Sequence, residues 1–354
     1  MAKVKPDNAE LVIGGVPVKP GTRANVDIAF AALYTHTAVS MPVQVIRGRV
    51  AGPTLFVCAA IHGDEINGVE IVRRLIRSIT PERLKGTLIC IPIVNVLGFL
   101  SHSRYLPDGR DLNRSFPGSP NGSLTARLAN LFFEEIISKA THGIDLHTGG
   151  GHRANLPHIR ANLDDPQVHE LARSFDVPVL VNSSMRDGSL RQVAADVGVC
   201  TLLYEAGEAL RFDELCVRAG VRGVLNVMRA LGMLRRTRNT RPETERMVAR
   251  STRWVRAPGA GITRFVTPLG ARVKKGEVLG TISDPFGERE QDVNAPCDGI
   301  VLGRNNLPLV NEGDALFHIA LFESSHSVAE QVEAFQNMLS DPDLESVDKQ
   351  PPIV

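Results

Sequence analysis

The sequence predicts an α/β protein, a mixed sheet flanked by helices, with a small all-β module at its C-terminal end. Two observations carry this prediction. Between residues 49 and 234 short apolar runs alternate with stretches of helical periodicity, and beyond residue 254 a strand–turn–strand pattern occurs twice. The 354 residues, 43% hydrophobic and 22% charged, suffice for one large domain and an appended smaller one.

Residues 1–48 form an N-terminal extension, in which Ala24–Ile28 and Pro42–Ile46 alternate apolar and polar residues as half-exposed strands of a hairpin do. Thr54–Ile61 is continuously apolar, the profile of a strand buried on both faces. Gly68–Ile79 then carries apolar residues at helical spacing. Thr87–Val94 and Gly143–His147 read as further strands, with an amphipathic helix over Leu124–Ser138 between them. Val177–Val181 and Val199–Tyr204 add two strands, and a helix over Phe212–Leu234 closes the large domain, 49–234. Residues 235–253 are charged and poor in large apolar side chains, which suits a solvated linker.

The repeat follows in 254–322. Val255-Arg256-Ala257-Pro258 leads to Gly261-Ile262, and Val293-Asn294-Ala295-Pro296 leads to Gly299-Ile300. Downstream, Val273–Glu277 is answered by Val310–Asp314. Two such copies close into a flattened barrel, which resembles the barrel-sandwich fold of biotinyl and lipoyl carrier domains. Carrier chemistry needs a lysine at the hairpin tip, and Ser283–Glu290 has none. The module is therefore expected to cap the large domain or shape an interface. Residues 323–354 read as a short helix over Ser327–Leu339 and a frayed tail.

Composition excludes several functions. Forty basic against thirty-nine acidic residues leave a net charge of +1, so no global footprint for nucleic acid exists. The five cysteines, at 58, 90, 200, 216 and 297, are odd in number and widely spread, which suits reduced thiols. No apolar run has the length of a membrane span and the N-terminus lacks a secretory h-region, so a cytoplasmic, membrane-free protein is expected.

The chemistry gathers at strand ends, where ligands collect in such sheets. His62 and Glu65 follow the first buried strand, and imidazole with carboxylate is a good donor set for zinc. In Asp145-Leu146-His147 the period of two puts Asp145 and His147 on one face, so that Asp145 can support the histidine. Between these lies Arg104–Arg114, a loop rich in guanidinium groups that suit a carboxylate ligand. Glu205 follows an apolar strand and precedes Ala206-Gly207, a costly place for a carboxylate unless it is exposed or used.

Four motifs in order, His62-Gly63-Asp64-Glu65, Asp111-Leu112-Asn113-Arg114, Asp145-Leu146-His147 and Tyr204-Glu205-Ala206-Gly207, resemble those of the succinylglutamate desuccinylase and aspartoacylase family, a branch of the zinc carboxypeptidase-like fold. The resemblance covers about residues 50–230. It implies one zinc ion per chain on His62, Glu65 and His147, Glu205 as general base, and Asn113 with Arg114 as the clamp for a substrate carboxylate. It also implies an arginine that polarises the scissile carbonyl, for which Arg104 fits best and Arg110 is the rival.

The implied activity is hydrolysis of the amide bond of a small N-acyl amino acid. A metallocarboxypeptidase acting on short peptides and a non-catalytic binding protein are the alternatives. Leu156, His158 and Met185 are candidate walls of the acyl pocket, and homo-oligomerisation is left open.

Overall fold

The computed structural model describes residues 11–236, 247–322 and 325–340. A 13-stranded mixed sheet runs through the whole of it. From one edge its main path passes through Ser251–Arg256, Ala315–Leu321, Gly299–Asn305, Arg153–Ala161, Cys200–Glu208, His142–Gly149, Val50–Ala59, Lys85–Ile91, Ala38–Arg47 and Thr22–Ala32. The central strands Cys200–Glu208, His142–Gly149, Val50–Ala59 and Lys85–Ile91 are parallel to one another. Thr22–Ala32 and Ala38–Arg47 form the expected antiparallel hairpin.

Alternation on the strand Val50–Ala59 shows why it is continuously apolar. Leu55, Val57 and Ala59 enter one core, beneath the helices Asn67–Ser78, Pro166–Phe175 and Glu214–Ala230. Phe56 and Cys58 enter the other, with the hairpin and the helix Leu124–Glu135. A strand covered on both faces has no polar side to show.

The C-terminal module is joined to the large domain through the sheet itself. Its strand Gly299–Asn305 pairs with Arg153–Asn155, while the other half of that strand, His158–Ala161, pairs with Val179–Asn182. A second sheet of Glu290–Asn294, Val278–Ser283, Gly261–Phe265 and Leu309–Val310 completes the module. Val255, Leu279, Ile282, Val301, Phe317 and Ile319 fill its core. Ser283 and Glu290 are paired at the base of a hairpin, and Asp284 accepts three backbone N–H groups in its turn.

The charged stretch expected as a linker differs from that reading at its end. Residues 237–246 lie outside the described residues, but Met247–Ala249 is a strand parallel to Val179–Asn182, and Ser251–Arg256 is an edge strand of the large sheet. Arg250 and Arg253 are exposed while Ala249 and Val255 are buried, so the apolar residues are spaced for one face of a sheet and the charges for solvent. The final helix spans Ser325–Ser340; the tail expected to fray lies outside the described residues. No helix among the described residues is long and apolar enough to cross a membrane.

Candidate functional site

Five strands and three loops, with the first turn of the helix Leu190–Asp196, converge on a cavity of about 660 Å³. His62 and Glu65 leave the strand Val50–Ala59 on a tight loop, because Glu65 N–H donates to the His62 carbonyl at 3.1 Å. Gly63 lies in this loop, and a Cβ there would lie 2.0 Å from the Gly98 carbonyl carbon. The loop is packed against backbone, and only hydrogen fits between.

His147 and Glu205 are partners in the parallel register of their strands, so the two side chains share a face. A bulge follows Glu205, where Gly207 takes a φ of +76°. The ligand atoms of His62, Glu65 and His147 lie within 4.8 Å of one another, and all three residues are buried. His62 Nδ1 is 2.7 Å from Glu65 Oε1, and His147 Nδ1 is 2.7 Å from Glu65 Oε2.

The opposite nitrogens are held by carboxylates, His62 Nε2 by Asp111 at 3.2 Å and His147 Nε2 by Asp145 at 2.8 Å. Each ring must give its Nε2 proton to an aspartate, so each aims Nδ1 at a glutamate oxygen. Two acceptors at that distance require positive charge between them. Either both buried rings carry a second proton, or one divalent cation serves all three side chains; a histidine-and-carboxylate set with outer aspartates is how zinc is commonly held. The donor set therefore fits a metal.

Electrostatics agree. Burial opposes the charged forms of His62 and His147, yet Glu65 with Asp111 raises the first, and Asp145 with Glu65 raises the second well above the usual imidazole range. Burial also opposes ionised Glu65, but the two histidines hold it well below the usual carboxylate range. Glu205 behaves differently: burial pushes its carboxyl up, and the charge of Glu65 adds to this against the opposing His147 and Arg160. Asn155 Nδ2 donates to Glu205 Oε2 at 2.9 Å.

Arg104 stands over the triad. Its Nη1 is 3.3 Å from Glu65 Oε1, and its Nε and Nη2 donate to Asp111 Oδ2 at 3.1 and 2.9 Å. Asp111 also accepts the Asn113 N–H and so caps the short turn Leu112–Arg114, which presents Asn113 and Arg114 to the cavity. Asn113 Oδ1 is spent on the Leu190 N–H. Arg110 is exposed and outside the cavity lining, away from the rival position considered for it.

Several lining residues escape sequence reasoning. Asn155 and Arg160 come from the strand Arg153–Ala161, which carries Pro157 and so does not read as a central strand; His158, on the same strand, lines the cavity as considered. Arg191 precedes no motif. Trp254 and His318, stacked at 4.2 Å, bring the C-terminal module into the wall. Met185 lines the cavity as considered, whereas Leu156 is in the core beneath the module, against Ile300 and Leu302.

The profile of the succinylglutamate desuccinylase/aspartoacylase catalytic domain matches residues 51–231. The chain belongs to this family. Among its relatives is an N-alpha-acetyl-L-2,4-diaminobutyric acid deacetylase of Halomonas elongata, 28% identical over 302 residues that cover 80% of this chain and 86% of that one. A succinylglutamate desuccinylase/aspartoacylase structure from Rhodobacter sphaeroides superposes with a TM-score of 0.77 at 28% identity, covering 85% of this chain and 96% of that one. The product-bound ectoine utilization protein EutE from Ruegeria pomeroyi shares the fold, with a TM-score of 0.79 at 23% identity over 89% of this chain and all 100% of the other. The family member described here thus has the α/β architecture and the C-terminal β region of its structural neighbours.

Proposed function

We propose that this protein is a zinc-dependent deacylase that hydrolyses the amide bond of a small N-acyl amino acid. The observation that carries the reading is the convergence of His62, Glu65 and His147 on one point, with Glu205 beside His147 in the sheet register. The family and the deacetylase relative support the reaction class, and a cavity of about 660 Å³ suits a small substrate.

His62, Glu65 and His147 would hold the ion. Bound there, zinc supplies a water whose pKa is lowered to about 7 and a positive charge beside the scissile carbonyl. Glu205, raised by burial and kept in place by Asn155, takes the proton of the attacking water and returns it to the departing amine. Arg104, whose guanidinium lies against Glu65, faces the charge that develops on the carbonyl oxygen. Asn113 and Arg114 hold the substrate carboxylate, which fixes the amide in register with the base. Trp254 and His318 line one wall of the cavity, and its volume suits an N-acyl amino acid better than the longer peptide of a carboxypeptidase.

Glu205→Gln tests the assignment. Turnover of N-acetyl amino acids should fall on the order of a thousandfold while metal content stays unchanged. Retained turnover would refute Glu205 as the base.

A further inference from the structure

The register carries a row of side chains past the metal side of the site. His147 is opposed by Glu205, and Glu205 in turn by His158 on the strand Arg153–Ala161. Directly opposed residues hold their Cβ atoms about 5 Å apart. His158 therefore lines the cavity one strand beyond the base.

Its Nδ1 lies 2.7 Å from the Leu156 carbonyl oxygen, an atom that can only accept, so the ring proton is on Nδ1. The lone pair on Nε2 is left over, on a ring that lines the cavity. His158 is 1% exposed, and its Nε2 has no hydrogen-bond partner among the described residues. A buried acceptor left unpaired by its own protein is costly and needs an explanation. Burial, with Arg160 and His318 nearby, pushes the ring down to about 3, so the lone pair stays available at neutral pH.

The surroundings restrict what can bind there. Arg104, Arg114, Arg153, Arg160, Arg186 and Arg191 line the same cavity, against only Glu65, Asp187 and Glu205. Arg191 is 7% exposed with Nη1 likewise unpartnered, and Arg114 is destabilised as a cation first by burial and then by Arg186, Arg104 and Arg160. A second cation is unwelcome. We propose that His158 is a specificity-determining residue that accepts a hydrogen bond from a neutral donor, a hydroxyl or amide N–H, on the substrate, and that a substrate with an ammonium group in that place is rejected.

This rests on the deacylase reading, and the test separates the two. N-acetyl-L-homoserine, N-acetyl-L-2-aminobutyrate and N-acetyl-L-2,4-diaminobutyrate differ only in bearing a hydroxyl, a hydrogen or an ammonium at one position. N-glycolyl-L-2-aminobutyrate moves the hydroxyl to the acyl half. In one arm or the other, the hydroxyl compound should exceed its hydroxyl-free twin by about tenfold or more in kcat/KM, because a site built around a hydrogen bond penalises the analogue that lacks it. The diaminobutyrate derivative should trail homoserine. His158→Leu should bring the hydroxyl ratio to about one, while His158→Gln, which keeps an acceptor, should restore part of it. No hydroxyl advantage in either arm, an advantage that survives in His158→Leu, or a preference for the ammonium compound overturns the proposal.

The chain has one tryptophan, Trp254, and it lines the cavity, so its fluorescence reads affinity without turnover. If none of the four compounds is hydrolysed, the deacylase reading fails and the fluorescence ranking still decides the role of His158. If none binds either, both fall.

Discussion

Asn155 turns a buried glutamate into a positioned one. A base must be charged to act, and burial with the charge of Glu65 keeps the Glu205 carboxyl above its ordinary range. Activity should therefore rise with pH through that raised value, its acid limb lying above the range of a solvated carboxylate. The Asn155 amide donates to the charged form and favours it. Asn155→Ala should lower kcat by about tenfold and move the acid limb of kcat/KM to still higher pH. A pH–rate profile with both unchanged would show that Asn155 only fills space. At this scale His62, His147 and Glu205 were legible because each sits at the end of an apolar run, where a polar residue is conspicuous, and Glu65 through its motif with His62. Asn155 and Arg160 were not, since their own strand carries a proline and no apolar run points to them, and His158 was legible only as a pocket wall.

The strand Arg153–Ala161 is also the element that joins the two halves of the protein. Its register leads from Gly207 through Asn155 and Gly303 to His318 and Trp254, a line that crosses from the base to the C-terminal wall. Gly303 is the narrow point of that line. A Cβ there would sit 2.8 Å from Asn155 Oδ1 and 3.3 Å from His318 Cβ, so one of the two must yield. The Asn155 amide is the freer of them, and it holds Glu205. Gly303→Ala should slow turnover in the parent protein yet cost little more when Asn155 is already Ala, because the two changes act through one contact. Kinetics of the double-mutant cycle check this, and additive losses would place the effect of Gly303 elsewhere. The repeat in 254–322 made the C-terminal strands legible, and the helical and apolar periods did the same for most of the large domain. What local pattern cannot encode is that Gly299–Asn305 continues the large sheet, for that pairing links positions about 150 residues apart, such as Gly303 and Asn155.

The whole molecule is nearly neutral, at +1, yet its arginines crowd one cavity whose acidic residues are fewer. That charge distribution is invisible in composition and follows only from topology, which brings Arg104, Arg160 and Arg191 together from separate elements. On the proposed function, that charge would attract the carboxylate of an N-acyl amino acid, while Glu205 and the three converging side chains would decide where it is cut. Everything depends on the ion those side chains are arranged to hold. The most direct test is the metal content of the purified protein, measured for the parent chain and for His62→Ala, Glu65→Ala and His147→Ala variants whose folding is checked by circular dichroism. One zinc per folded parent chain, lost in each folded variant together with deacylase activity, is the predicted result; zinc that stays at full stoichiometry in all three variants, or full activity after the metal has been stripped, would contradict the account.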